Sequence, residues 1–339
     1  MRDFLYFGYG LMEQSGMKKR DMHDEFIDEL YKKVPKRADL INLISDILKL
    51  EKESIYRRLA GKVNFTVREV GILAKALQIS LDNIIYRDRE VQWIPIVLES
   101  PNMLDSMDGL CARIDMNLKK IEKITSDERC KAGAVHNSLP LEFYATSPLM
   151  LKFMFFKWGN YFVKSEEFTK FSDWELPAEL STIEERCRQI YKFQDIFYIW
   201  DSSLVTTLVR EIENFYWMNA ITGEEKEAIK NELKTILIKI EQTLNGTYDP
   251  ILPDVSKMTF YVSSISVGFM SGYIASPEQY FATFHTNFSF SVIEAEEGFI
   301  RIKEWIKSLR DISTLLSKSG KIERRQFFET QHKIIDQTL

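Results

Sequence analysis

Between Leu50 and Val70 the chain reads LEKESIYRRLAGKVNFTVREV. Seven side chains in or beside this stretch's helical part carry groups suited to a polyanion: Lys52, Glu53, Ser54, Tyr56, Arg57, Arg58 and Lys62. Lysine and arginine attract phosphate, and both can pair with a guanine edge. A glutamate can accept from a cytosine amine, and a tyrosine can reach a phosphate or a thymine methyl. Two apolar residues, Ile55 and Leu59, lie one helical turn apart and are expected to face inward. At about 100° per residue, Lys52, Glu53, Tyr56 and Arg57 then face outward and Arg58 falls on the flank. A helix presenting long donors and one aromatic from its exposed side fits a groove about 12 Å wide. The chemistry expected here is recognition by contact, not bond making.

Such a helix must be held from behind, and the neighbouring sequence supplies the means. Asp21 to Val34 has Phe26, Ile27, Leu30, Tyr31 and Val34 at helical spacing, closed by Pro35. A second helix, with Asp39 as its expected cap, carries Leu40, Leu43, Ile44, Ile47 and Leu48. A break of two or three residues leads to the Lys52–Ala60 helix, which Gly61 stops. Thr66 and Glu69 form a T-x-x-E capping box ahead of VGILAKAL, and Ser80 can cap a last short helix. Eleven bases against five acids between residues 32 and 75 give a surplus of six. With a whole-chain charge of −5, about −11 is left for the remainder. A small basic head on an acidic body suits a phosphate-binding unit carried by a partner- or ligand-binding one.

The stretch LISDILKLEKESIYRRLAGKVNFTVREVGILAKALQISLDNII resembles the lambda-repressor-like helix-turn-helix domains of the XRE family. The resemblance covers about residues 39–86. It rests on ESIYRRLAGK, the N-x-T-x-x-E start of the next helix, and LAKALQISLDNII. It implies that Leu43–Leu48 belongs to a support helix and Lys52–Ala60 to a recognition helix. Lys52, Glu53, Tyr56 and Arg57 then stand where that family reads bases, and Gly61–Lys62 approaches the backbone. Arg58 and Arg68 take flank or phosphate roles. The family often has alanine where Ser45 stands, and glycine where Lys49 and Gln78 stand. A left-handed turn without glycine costs about 1 kcal/mol. The family's polar opening of the second helix falls here on Leu40 and Ile41, so its phosphate contact does not carry over.

Beyond this head, Pro95 and Pro101 mark residues 91–101 as a linker. Leu104, Met107, Cys111, Ile114, Leu118 and Ile121 then keep 3-4-3-4 spacing, a short heptad seam that can pair two copies or pack on its own domain. Helical patterns run after Pro148, through PAELSTIEERCRQIYKFQD, through SSLVTTLVREIENFYWMNA, and through GEEKEAIKNELKTILIKIEQTL to Gly246. KMTFYVSSISVGFMSGYIAS, QYFATFHT and NFSFSVIEA alternate apolar with small or polar residues and predict three or four antiparallel strands. Two helices follow. The aromatic clusters FMFFKW (Phe153–Trp158), FYIW (Phe197–Trp200) and FYW (Phe215–Trp217) fit either a core or an apolar pocket. The expected fold class is α+β and predominantly α. A five-helix head of the lambda-repressor-like type is followed by a larger helical body with a small antiparallel sheet. The expected divisions are a tail over residues 1–16, the head over 17–90, the linker over 91–101 and the body over 102–339.

Several function classes lose support. Cys111, Cys130 and Cys187 are scattered, as are the four histidines, so neither a disulfide framework nor a metal site is expected. No run reaches the roughly 18–20 apolar residues of a membrane span, and the first sixteen residues make a poor signal peptide. No phosphate-binding loop, nucleophile elbow, HExxH or clustered catalytic set stands out; GFMSGYIAS reads as strands joined by a turn. The expectation is a cytoplasmic, bacterial, non-enzymatic transcriptional regulator that binds double-stranded DNA as a homodimer. No cofactor is expected, and its signal, small molecule or protein, is not identified. The alternatives are a DNA-tethered interaction protein whose body recruits a partner, and an enzyme fused to a DNA-binding head.

Overall fold

A computed structural model describes residues 21–77, 79–85, 106–163, 165–190, 195–246, 258–285 and 290–339. The expected tail 1–16 and linker 91–101, the turn position Gln78 and Leu104 of the heptad lie outside these residues. The chain divides into two compact units between Pro95 and Ile96.

The first unit is helical: α1 (Met22–Lys33), α2 (Arg37–Leu48), α3 (Lys52–Leu59), α4 (Val67–Leu77) and α5 (Leu81–Ile85). Its core joins Phe26 and Leu30 of α1, Leu40 and Ile44 of α2, Ile55 and Leu59 of α3, and Leu73 of α4. The Asp21 carboxylate caps α1 by accepting from the His23 amide. Asp39 does not cap α2. That helix begins two residues earlier, with Lys36 at the N-cap, so Asp39 lies within its first turn, where its charge still favours the helix dipole.

The second unit is α+β. Its helices are α6 (Met107–Thr125), α7 (Leu141–Tyr144), α8 (Pro148–Trp158), α9 (Ala178–Ser181), α10 (Ile183–Ile190), α11 (Thr206–Trp217), α12 (Gly223–Leu244), α13 (Glu296–Asp311) and α14 (Lys321–Thr338). Local chemistry sets several starts. Ser147 caps α8 with Pro148 in its first turn, and Thr222 with Glu225 forms a reciprocal capping box on α12. The strands are β1 (Lys131–His136), β2 (Asp195–Trp200), β3 (Met258–Val262), β4 (Met270–Ala275), β5 (Tyr280–His285), β6 (Phe290–Ile293) and β7 (Thr314–Leu315). They form one sheet in the order β6-β5-β4-β1-β2-β3-β7.

This sheet is mixed, which corrects the expected antiparallel one. β4, β5 and β6 form the antiparallel meander that the alternating sequence suggested. β1, β2 and β3, however, run parallel, because helical connections return the chain to the same end of the sheet between them. β3 and β4 are accordingly not joined as a hairpin, since β1 and β2 lie between them. β1 and β2 were not expected as strands. In β2, Ile196, Tyr198 and Trp200 enter the large core shared with α8, α11, α12 and α14, while Phe197 and Ile199 enter a second core under α13. A strand buried on both faces loses its apolar–polar alternation, and Asp195, assigned by sequence to the end of a helix, opens it instead.

The aromatic clusters divide accordingly. Phe153, Phe155, Phe156, Tyr198, Trp200 and Phe215 are buried core, whereas Trp217 is 73% exposed. The heptad stripe is also redirected. Met107, Cys111, Ile114 and Ile121 pack against the large core of their own unit, and Leu118 is buried. Arg186 ties α6 to α10 through Asp115 at 2.8 Å and Glu122 at 3.0 Å. A helix packed on its own domain and a coiled-coil strand bury the same stripe, so the spacing alone does not separate them.

His136 at the end of β1 and His285 at the end of β5 both titrate far below the ordinary 6.5, at about 3 and about 4. Burial is the main cause for each, and for His136 the charge of His285 adds to it. His136 Nδ1 is buried without a hydrogen-bond partner, as a neutral ring permits. The unfolded chain takes up these protons near pH 6.5, whereas the folded chain resists them until about pH 4 at His285 and about pH 3 at His136. The contribution is therefore complete above pH 6.5 and is lost as pH falls towards 4. The denaturant midpoint of this unit should drop between about pH 7 and pH 5, and His136→Gln should flatten the drop. A midpoint that rises on acidification would contradict this.

Candidate nucleic-acid interface

α3 is eight residues long, too short to hold itself in water. Ile55 and Leu59 anchor its inner side in the core of the first unit. Its end is closed by a Schellman turn: the Lys62 amide donates to the Arg57 carbonyl at 2.9 Å and the Gly61 amide to the Arg58 carbonyl at 3.0 Å. Gly61 takes φ +68°, which is open to glycine without steric cost. The turn before α3 is built differently. Lys49 occupies the left-handed region at φ 56°, as its place between α2 and α3 requires. The Ser45 hydroxyl donates to the Leu50 carbonyl at 2.6 Å, tying this turn to α2.

Lys52, Glu53, Arg57 and Lys62 are exposed, and Tyr56 is 42% exposed. Glu53, Tyr56 and Arg57 lie on the side of α3 away from the two anchors; Lys52, three residues before Ile55 and so on the anchors' side, is exposed because it opens the helix, and Lys62 follows the helix end. None of the three bases forms an ion pair among the described residues. Arg37 joins this surface from the first turn of α2, with its guanidinium 4.6 Å from the Tyr56 ring centre. A cation over the face of tyrosine fixes both side chains and adds a further donor. Sequence spacing within α3 could not find it, because the partner stands nineteen residues upstream.

Ser54 and Arg58 are placed otherwise. Arg58 Nε and Nη2 donate to the two Glu69 carboxylate oxygens at 3.1 and 2.9 Å, and Nη1 donates to Ser54 Oγ at 2.7 Å. Glu69 is also the third helical residue of the expected capping box: it accepts from the Thr66 amide at 2.8 Å, and its own amide donates to Thr66 Oγ1 at 3.2 Å. Burial pushes the Glu69 carboxyl upward, but the hydrogen bonds from Arg58 and the Thr66 amide outweigh this and hold its pKa below the ordinary value. The Arg58 fork is thus filled by its own chain, and it and Ser54 position α3 against α4. His23 completes the brace: its Nδ1 accepts from the Phe65 amide at 3.4 Å, and its Nε2 donates to the Arg58 carbonyl at 3.2 Å. Arg68, the other flanking base, is exposed.

What this arrangement offers is a set of exposed donors, one acceptor and one aromatic. It holds no paired nucleophile and base. Among the described residues no three histidine, cysteine or carboxylate side chains gather as a metal site, and Cys111, Cys130 and Cys187 are free thiols. No helix of the described residues is long and apolar enough to cross a membrane. No protein-family model, curated protein or solved structure matches the chain.

Two substitutions separate positioning from contact. Arg58→Ala should destabilise the first unit by about 1.5–3 kcal/mol, because it strands a partly buried carboxylate, whereas Arg57→Ala should leave its unfolding transition unchanged. Equal effects would refute the division. Lys49→Gly should stabilise the unit by about 1 kcal/mol, read as a later transition in denaturant.

Proposed function

We propose that this chain is a sequence-specific DNA-binding transcriptional regulator whose α3 enters the major groove. The observation that carries the reading is the exposed face of α3. Lys52, Glu53, Tyr56 and Arg57 are exposed on a helix that is oriented by Ile55 and Leu59 and stopped by Gly61. The order of a support helix, a three-residue turn and a short basic helix agrees with the resemblance to the lambda-repressor-like helix-turn-helix domains of the XRE family. In this reading Lys52, Glu53, Tyr56 and Arg57 contact base edges, and Lys62 contacts phosphate beyond the helix end. Arg37 holds Tyr56, while Ser54 and Arg58 hold the helix. The chain acts without catalysis, and a homodimer reads two half-sites through two-fold symmetry. The α6 stripe is not required as its interface, since Met107, Cys111, Ile114 and Ile121 already pack, partly buried, against the core of their own unit. A signal acts by binding one arrangement of the dimer better than the other.

Selection of bound sequences from random duplex DNA by the full chain tests this directly. Enrichment of one motif is expected, and a palindrome fixes the half-site spacing. Arg57→Ala should relax discrimination at one or two positions. Lys62→Ala should weaken all sequences about equally and lower the salt slope by about one. No enrichment, together with binding indifferent to salt, would overturn the reading and favour a protein-interaction role.

A further inference from the structure

The second unit carries a cavity that none of the foregoing uses. It opens at the end of the sheet beneath α13, with a volume of about 470 Å³. Its floor follows from register. In the end row Lys131 of β1 stands between Asp195 of β2 and Ala275 of β4, and in the next inward row Gly133 stands between Phe197 and Tyr273. A Cβ at Gly133 would lie 2.5 Å from Phe197 Cζ and 2.7 Å from Tyr273 Cε1, so glycine is what lets the two rings close over β1. Overhead, Lys303, Lys307 and Arg310 recur at i, i+4 and i+7 on α13, flanking the stripe Ile302, Ile306 and Leu309 that packs on the sheet.

Among the described residues five cations therefore line one cavity, Arg129, Lys131, Lys303, Lys307 and Arg310, and Asp195 is the single acid beside them. Arg129 and Arg310 have carboxylate neighbours in Asp127 at 2.9 Å and Asp311 at 3.2 Å. Lys131, Lys303 and Lys307 form no ion pair among the described residues. Two of the cations already lie against the rings, Arg310 at 5.0 Å from the Phe197 centre and Lys303 at 5.8 Å from that of Tyr273. The Lys303 ammonium titrates below its ordinary value, through burial first and then through the charges of Lys307 and Lys131. Like charges gathered in a partly desolvated cleft oppose one another, and an anion between them relieves that opposition. The local surplus stands out on a body that is acidic outside the first unit's basic block.

We propose that this cavity binds a small organic phosphate of about nucleotide size. Lys131, Lys303 and Lys307 take the phosphate oxygens, the remainder lies along Phe197 and Tyr273, and Asp195 accepts from a ligand hydroxyl or amine. Three unpaired lysines call for a multiply charged group, which a single carboxylate does not supply. The volume is in the range of small-molecule sites. This assignment stands whether or not α3 reads DNA.

Calorimetric titration of the full chain with ATP, AMP, ribose 5-phosphate and pyrophosphate tests it. Saturable binding of at least one organic phosphate, tighter than that of pyrophosphate, is expected. The double variant Lys303→Glu with Lys307→Glu should weaken it by at least about tenfold. Lys131→Ala, an exposed side chain on a different element, should weaken it in the same direction without altering α13. Lys321→Glu on α14 should change nothing. Absence of saturable binding by every probe overturns the site. So does binding that survives the α13 and β1 variants but is lost in Lys62→Ala, which would place the anion on the first unit. Equal affinity for pyrophosphate and the organic phosphates overturns the role given to the rings.

Discussion

The interaction on which the candidate interface depends is the bidentate pair between Arg58 and Glu69. An eight-residue helix has few internal hydrogen bonds and gains its stability from what lies behind it. Ile55 and Leu59 set which side of α3 turns inward, but two apolar contacts alone leave the helix free to roll. The planar guanidinium removes that freedom, because its two parallel bonds to Glu69 hold only in one orientation. Glu69 is itself fixed by the start of α4, so the pose of α3 is inherited from the helix that follows it. The exposed bases can then remain unpaired, since none is needed to hold the unit together.

Much of the first unit was legible in its sequence, for a local reason. Its helices each bury one face, so apolar spacing and caps carry the information: Gly61, the Thr66–Glu69 box and the stripes of α1 and α2 all lie close to what they govern. What spacing could not reveal were partners distant along the chain. Arg58 looked like a surface base until Glu69 occupied its fork, and Arg37 lay a helix away from the ring it covers. Arg58, expected on the flank, is turned to the inner work of the unit, and Arg37 is drawn to its outer face.

The second unit was less legible, and its geometry explains why. β2 is sandwiched between two cores, so every residue after Asp195 is apolar and the period of two vanishes. β1 is written in small residues, Ala132, Gly133 and Ala134, whose value lies in what they let neighbouring strands do. The antiparallel meander was easier to see because small and polar residues still alternate there with the buried ones. The stripe of α6 was visible but ambiguous, since the surface that could receive a second copy receives its own domain. The cations of α13 are spread through an amphipathic pattern, and only the register of the sheet below brings them to Lys131.

The sheet ends on strands of very different use from its centre. On one side the last strand is Thr314–Leu315, two residues long, and on the other it is Phe290–Ile293. A free strand edge is a template that invites another chain to add to it, and edges this short give such an addition few main-chain rungs to start from. Short edges of this kind work against the open-ended strand-upon-strand stacking that breeds fibres.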